Sequence, residues 1–259
     1  MIVDLHNHTP LCNHATGTPI DYAKAAFNQG CKFYGFSDHA PMNFDQKYRM
    51  SFKDMDDYKE AIDILKAEFR DKMEILFGYE VDYLPGFIDN RVLNANVDYL
   101  IGSVHFLNGW GFDNPEFIGE YKNRDIDQIY IDYFNAIKEM AKFGKFDIVG
   151  HIDLIKVFNY KPKTDIRIIA KDALNEIKKS GMTVELNSAG LRKPVCEIYP
   201  GDEILEMMSQ MGIDITLSSD AHSIEQVGQN MGKIIKKAKD FGYNEVAIYK
   251  NREKIMVKI

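Results

Sequence analysis

The chain has 259 residues, with 32 Lys and Arg against 39 Asp and Glu, a formal charge of −7; 45% of residues are hydrophobic and 27% charged. That profile predicts a globular protein with a substantial core and argues against broad nucleic-acid binding, which needs a basic face. No window of about 18 apolar residues exists, so no membrane helix is expected, and the opening MIVDLHNHTP lacks the basic segment of a secretory leader. Three widely spaced cysteines (Cys12, Cys31, Cys196) exclude a disulfide framework and a CxxC zinc site, and predict a reduced, cytoplasmic protein.

Along the chain, short apolar runs alternate with amphipathic stretches. The runs are 2–5, 33–36, 75–79, 99–104, 148–149, 183–186, 215–217 and 246–248; the helical patterns are 20–29, 54–69, 127–143, 166–179, 202–211 and 224–239. Within 127–143 the apolar Ile129, Tyr133, Ala136, Ile137, Met140 and Ala141 recur at helical spacing. Gly30, Gly144, Gly181, Gly212 and Gly242 follow helical patterns, the usual C-terminal signal before re-entry into a strand. Seven or eight such units predict an α/β fold, a parallel TIM-like barrel forming one domain over 1–259. The irregular stretches 40–52, 107–124 and 189–201 each follow a strand and so fall on the rim where barrel enzymes place their sites.

Seven histidines mean little as a count, but their positions carry information. His6, His8, His39, His105, His151 and His222 lie at or just past the ends of apolar runs, and His14 lies in the first such loop. In a parallel barrel these ends converge on one rim. His6 and His8 are two apart and share a strand face, so both imidazoles can reach one metal; Asp220 and His222 repeat the spacing. Taken singly, each is as easily a packed core residue. His39 is expected to face the site, with Asp38 orienting a ligand behind it.

Glu80, the first charged residue after ILFGY, can bridge two cations with its two oxygens, and Asp82 is a weaker competitor for that role. A rim of imidazoles and acids is costly to desolvate unless two or three divalent ions offset it. Ligation by N and O alone suits Zn, Mn or Fe.

The segments HNH, SDHAP, GYEVDY, GSVH, GH and SSDAH, in this order, resemble the motif set of the PHP (polymerase and histidinol phosphatase) superfamily. PLCNHA, FSDHAPM and NSAGLRKPVCEIYP are similar to its histidinol-phosphatase branch. The resemblance implies a distorted (β/α)7 barrel with a trinuclear metal centre at its C-terminal rim. One ion would take His6, His8, Glu80 and Asp220; a second would share Glu80 and use His105 and His151; a third would use His14, His39 and His222.

The implied activity is hydrolysis of L-histidinol phosphate to L-histidinol and phosphate, in histidine biosynthesis. A metal-bridging hydroxide would attack phosphorus, with Glu80, Asp220 and His222 as catalytic positions. Arg192 is the expected phosphate fork, Lys156 a second cation, and Asn187 either a substrate contact or a brace for a ligand. The family often has arginine near position 156. The substrate's amine and imidazole are expected to meet loops 40–52 and 107–124, which carry Phe44, Arg49, Trp110 and Phe112. Alternatives are a PHP phosphoesterase for another substrate (a nucleotide or a phosphotyrosine protein) and a non-catalytic PHP module. An amidohydrolase also places HxH on a barrel strand, but no lysine of the kind used as a carboxylated bridge stands at a strand end here, and Glu80 fills that role. The expected partner is a small phosphomonoester, with no nucleic acid and no membrane; oligomeric state is left open.

Overall fold

The computed structural model describes residues 2–259. Its strands are β1 (Val3–Asp4), β2 (Phe33–His39), β3 (Glu74–Asp82), β4 (Tyr99–Ser103), β5 (Phe106–Leu107), β6 (Trp110–Gly111), β7 (Ile148–Val149), β8 (Thr183–Asn187), β9 (Ile215–Ser218), β10 (Glu245–Lys250) and β11 (Glu253–Lys258). Its helices are α1 (Pro19–Asn28), α2 (Met55–Glu68), α3 (Asn90–Leu93), α4 (Ile126–Phe143), α5 (Ile166–Ser180), α6 (Asp202–Met211) and α7 (Met231–Asp240). Strands β1, β2, β3, β4, β7, β8 and β9 form one parallel sheet in that order.

The sheet nearly closes on itself. Leu5 N–H donates to the Leu217 carbonyl (3.0 Å), Asp220 N–H to the His6 carbonyl (2.8 Å) and His8 N–H to the Ala221 carbonyl (3.0 Å). Asn7 and Ala221 make a parallel bridge across the same seam. The result is the α/β, seven-stranded TIM-like barrel that the alternation predicts. Because every strand runs the same way, all seven C-terminal ends open on one rim.

Below that rim the barrel is plugged by Tyr99, whose hydroxyl donates to the Leu5 carbonyl across the interior at 2.5 Å. Room for its ring comes from Gly78 on β3, where a Cβ would lie 2.7 Å from Tyr99 Cε2. A solid floor leaves the rim as the place for a ligand.

Three segments depart from the sequence reading. The run at 246–248 is not an eighth barrel strand: β10 pairs antiparallel with β11 through a two-residue turn at Asn251 and Arg252, both at positive φ. Such a turn makes a hairpin, and the hairpin packs outside β9. The stretch 107–124 is ordered as a second hairpin turning at Asn108–Gly109, followed by a 3-10 helix over Pro115–Asn123. The pattern at 224–239 is broken where Gly228 and Asn230 adopt left-handed backbone, so α7 starts at Met231.

Candidate metal centre

Strand register places the first pair. His39 on β2 lies beside Glu80 on β3, and His39 Nδ1 approaches Glu80 Oε2 at 3.0 Å. Four more imidazoles arrive from other strand ends and divide between the two oxygens of Glu80. Oε2 faces His6 Nε2 at 3.3 Å and His8 Nε2 at 3.8 Å. Oε1 faces His151 Nε2 at 2.9 Å and His105 Nε2 at 3.5 Å, and accepts from Ser103 Oγ at 2.7 Å.

Asp220, in left-handed backbone at φ 51°, turns Oδ1 to His8 Nε2 at 3.2 Å. His222 stacks on His8 with ring centroids 3.9 Å apart, and His14 lies 4.7 Å from His222 and 5.3 Å from His39. Four groups among the described residues thus have ligand atoms close enough to share an ion: His6–His8–Glu80, Glu80–His105–His151, His14–His39–His222 and, through a buried thiol that sequence reasoning left out, His8–Cys12–His222.

The outer nitrogens of these rings are occupied in a way that frees the inner ones. His6 Nδ1 meets Glu185 Oε2 at 2.9 Å, His8 Nδ1 meets Asp38 Oδ1 at 3.3 Å, and His105 Nδ1 meets Asp82 Oδ1 at 2.6 Å. His14 Nδ1 donates to the Cys12 carbonyl at 2.8 Å. Carboxylate–histidine pairs of this kind fix a ring so that Nε2 points at a metal. His6 Nε2, His8 Nε2 and His39 Nδ1 are buried without a hydrogen-bond partner, although acid oxygens lie close by. Buried nitrogens aimed at carboxylates without hydrogen-bond geometry are what a divalent ion would satisfy, so the donor set fits metal.

Electrostatics agrees. Burial alone would push the Glu80 carboxyl up, but His6, His39, His105 and His151 hold it well below the usual carboxylate range. Burial lowers His39 to about 4, keeping it a neutral imidazole.

The other expected residues fall differently. Arg192 borders the central cavity of about 330 Å³ together with Glu80, His105, His151, Asp220 and His222. Its Nη2 donates to the carbonyls of Ser219 (2.8 Å) and Asp220 (3.0 Å), while the buried Nη1 has no hydrogen-bond partner among the described residues. Asn187 braces rather than lines the cavity: its Nδ2 donates to Asp220 Oδ2 at 3.1 Å and Glu185 Oε1 at 2.8 Å.

Lys156 is a correction. It is buried in ion pairs with Asp153 (2.8 Å) and Glu197 (3.1 Å), borders a neighbouring cavity, and does not join the residues around Glu80. It sits on a short 3-10 helix (Leu154–Lys156), and its Nζ also donates to the Ile198 carbonyl at 2.8 Å.

Trp110 and Phe112 are also buried packing residues, Trp110 against Tyr121 at 4.9 Å. Phe44 packs on Phe87 and Phe106. Arg49 is tied to Asp82 at 2.7 Å. The aromatic wall of the outer lobe is instead Tyr48, Phe106 and Phe117, with Asp113 bordering both lobes.

Sequence reasoning missed Glu185. A charged residue inside the apolar run TVELN, fully buried, was the available signal.

Comparison with known proteins fits this geometry. Residues 4–189 match the family described as PHP domain. The chain is 39% identical to the "Probable histidinol-phosphatase" of Deinococcus radiodurans, over 93% of this chain and 94% of that protein. It is 31% identical to the "Histidinol-phosphatase" of Bacillus subtilis, over 87% of this chain and 95% of that one. A histidinol phosphate phosphatase of Lactococcus lactis, solved with zinc, L-histidinol and phosphate, shares the fold at a TM-score of 0.80 and 22% identity, covering 97% of this chain and 98% of its own. The barrel, the imidazole rim and these relatives together make the chain a member of the PHP domain family, in its histidinol-phosphatase branch.

Proposed function

We propose that the chain is a metal-dependent phosphatase that hydrolyses L-histidinol phosphate to L-histidinol and phosphate, a step of histidine biosynthesis. The observation that carries the reading is the division of Glu80, whose two oxygens face two separate sets of imidazoles. The named activity of full-length relatives supports it.

In this reading one position is held by His6, His8, Glu80 and Asp220, a second by Glu80, His105 and His151, and a third by His14, His39 and His222. Two or three divalent ions (Zn, Mn or Fe) there supply Lewis acidity and a water acidified to near neutrality. Glu80, Asp220 and His222 hold the reacting centre together, and Asn187 keeps Asp220 in place. Arg192, anchored on the Ser219 and Asp220 carbonyls, offers Nη1 to a phosphoryl oxygen. Asp113 is bonded to no described cation, and its carboxylate suits the ammonium group of an amino-alcohol phosphate. The three unpaired cysteines suit a reduced, cytoplasmic setting.

The test is phosphate release from L-histidinol phosphate beside a panel of nucleotides, phosphotyrosine peptide and phosphodiesters, before and after chelation and re-addition of Zn or Mn. The expected result is a preference for histidinol phosphate that chelation abolishes and metal restores. A preference for a diester, or activity indifferent to chelation, overturns the reading.

A further inference from the structure

The central cavity contains a second buried donor that the metal centre does not use. Tyr199 is 1% exposed, borders the same cavity as Arg192, Glu80 and Asp220, and its hydroxyl has no hydrogen-bond partner among the described residues. An orphaned buried hydroxyl is costly, and on a residue that borders a cavity a ligand is the group that would satisfy it. Arg192 Nη1 is orphaned in the same way. The two unpartnered donors belong to residues lining one space beside the carboxylates and imidazoles.

Tyr199 is also held firmly. Its N–H donates to the Asn187 carbonyl (3.0 Å) and its carbonyl accepts from Asn187 N–H (2.7 Å), which fastens it to the end of β8. One neighbour of its ring is Gly190, where a Cβ would collide with the Glu197 carbonyl and come within 3.0 Å of Tyr199 Cε2. On another side, Lys156 Nζ lies 5.5 Å from the ring centroid. Burial pushes the phenol well above its ordinary range, so the group stays a protonated donor at any working pH.

We infer that the Tyr199 hydroxyl and Arg192 Nη1 act as a pair of donors to the non-bridging oxygens of the bound phosphoryl group, with Tyr199 a phosphate-binding residue. This rests on the reading of the cavity as a phosphomonoester site, and it adds a neutral donor to the one guanidinium nitrogen left free, since Arg192 Nη2 is committed to the Ser219 and Asp220 carbonyls. A hydroxyl facing a phosphoryl oxygen grips every monoester alike, whatever alcohol leaves.

The test uses Tyr199→Phe in the metal-loaded protein, with inorganic phosphate as the binding probe and histidinol phosphate and p-nitrophenyl phosphate as substrates. The hydroxyl bonds to nothing among the described residues, so the variant should melt within a few degrees of wild type and keep its metal content. Inorganic phosphate should bind about 10- to 100-fold more weakly, the loss expected for one hydrogen bond to a charged group. Both esters should lose kcat/KM by a similar factor. Phosphate affinity within twofold of wild type overturns the inference, as does a loss confined to one ester. Should the wild type prefer some other monoester, the proposed substrate fails, while the phosphate titration still decides the role of Tyr199.

Discussion

Glu185 offers the sharpest perturbation of the metal centre without removing a ligand. Its carboxylate is fully buried and accepts from His6 Nδ1 (2.9 Å), His151 N–H (2.6 Å), Ser218 Oγ (2.9 Å) and Asn187 Nδ2 (2.8 Å). Glu185→Gln keeps the volume but replaces one acceptor oxygen with a donor. With the amide nitrogen at the Oε2 position, it meets the His6 N–H head-on. Relief requires His6 to move its proton to Nε2, the nitrogen that faces Glu80. Loss of such a partner behind a ligand typically weakens metal binding about 10- to 100-fold, or about 1.4–2.8 kcal/mol. The metal-free fold should lose about 2–4 kcal/mol, because charge-assisted hydrogen bonds are exchanged for neutral or unmade ones. Competition against a chromophoric chelator measures the first quantity and denaturant unfolding the second. Activity should return at saturating metal. Metal affinity within twofold of wild type would refute the role assigned to Glu185.

Glu80→Gln should abolish most activity, since the amide cannot serve both sets of imidazoles, while circular dichroism stays native; near-normal turnover at saturating metal would remove Glu80 as a bridge. Arg192→Ala should raise KM for phosphomonoesters more than it changes metal content, and unchanged kinetics would take Arg192 out of the phosphate site. Metal uptake should release protons. Against the opposing effect of burial, Glu185, Glu80 and Asp220 push His6 well above its ordinary range, Asp220 and Asp38 do the same for His8, and Asp82 and Glu80 hold His105 at about 10, so His105 is a cation at pH 7.5 in metal-free protein and His6 and His8 are shifted toward the same form. Divalent ions bind only neutral imidazoles, so protons should leave, the one on His105 among them, and affinity should climb from pH 6 to 9. Calorimetry in buffers of different ionisation enthalpy counts them, and heats independent of buffer would contradict the protonation assigned here.

The barrel and its imidazole rim could be read from the chain because both follow from repeating local signals. Apolar runs, glycine stops and histidines at run ends each occupy a few contiguous residues. The hairpin at Asn251–Arg252 was hidden because 246–248 has the same apolar character as a barrel strand, and only the turn conformation separates the two. Lys156 misled for a related reason: a cation five residues past His151 suggests the rim, but the 3-10 turn sends it to Asp153 and Glu197. Glu185 and Tyr199 went unassigned because their roles depend on partners brought close only by folding. Neither an acid in TVELN nor a tyrosine in EIYP announces what it will face.

The seam between β9 and β1 gives the cations a second consequence, apart from chemistry. Asp4 and Ser219, bonded across it at 2.9 Å, stand 215 positions apart in the polymer. In the proposed centre an ion gripped by both His8 and Asp220 would therefore act as a cross-link around a very long loop, and the entropy such a staple removes from the unfolded chain grows with loop length. Chelation should loosen the barrel at that seam first, appearing as faster amide exchange in β1 and β9 than in β3 and β4.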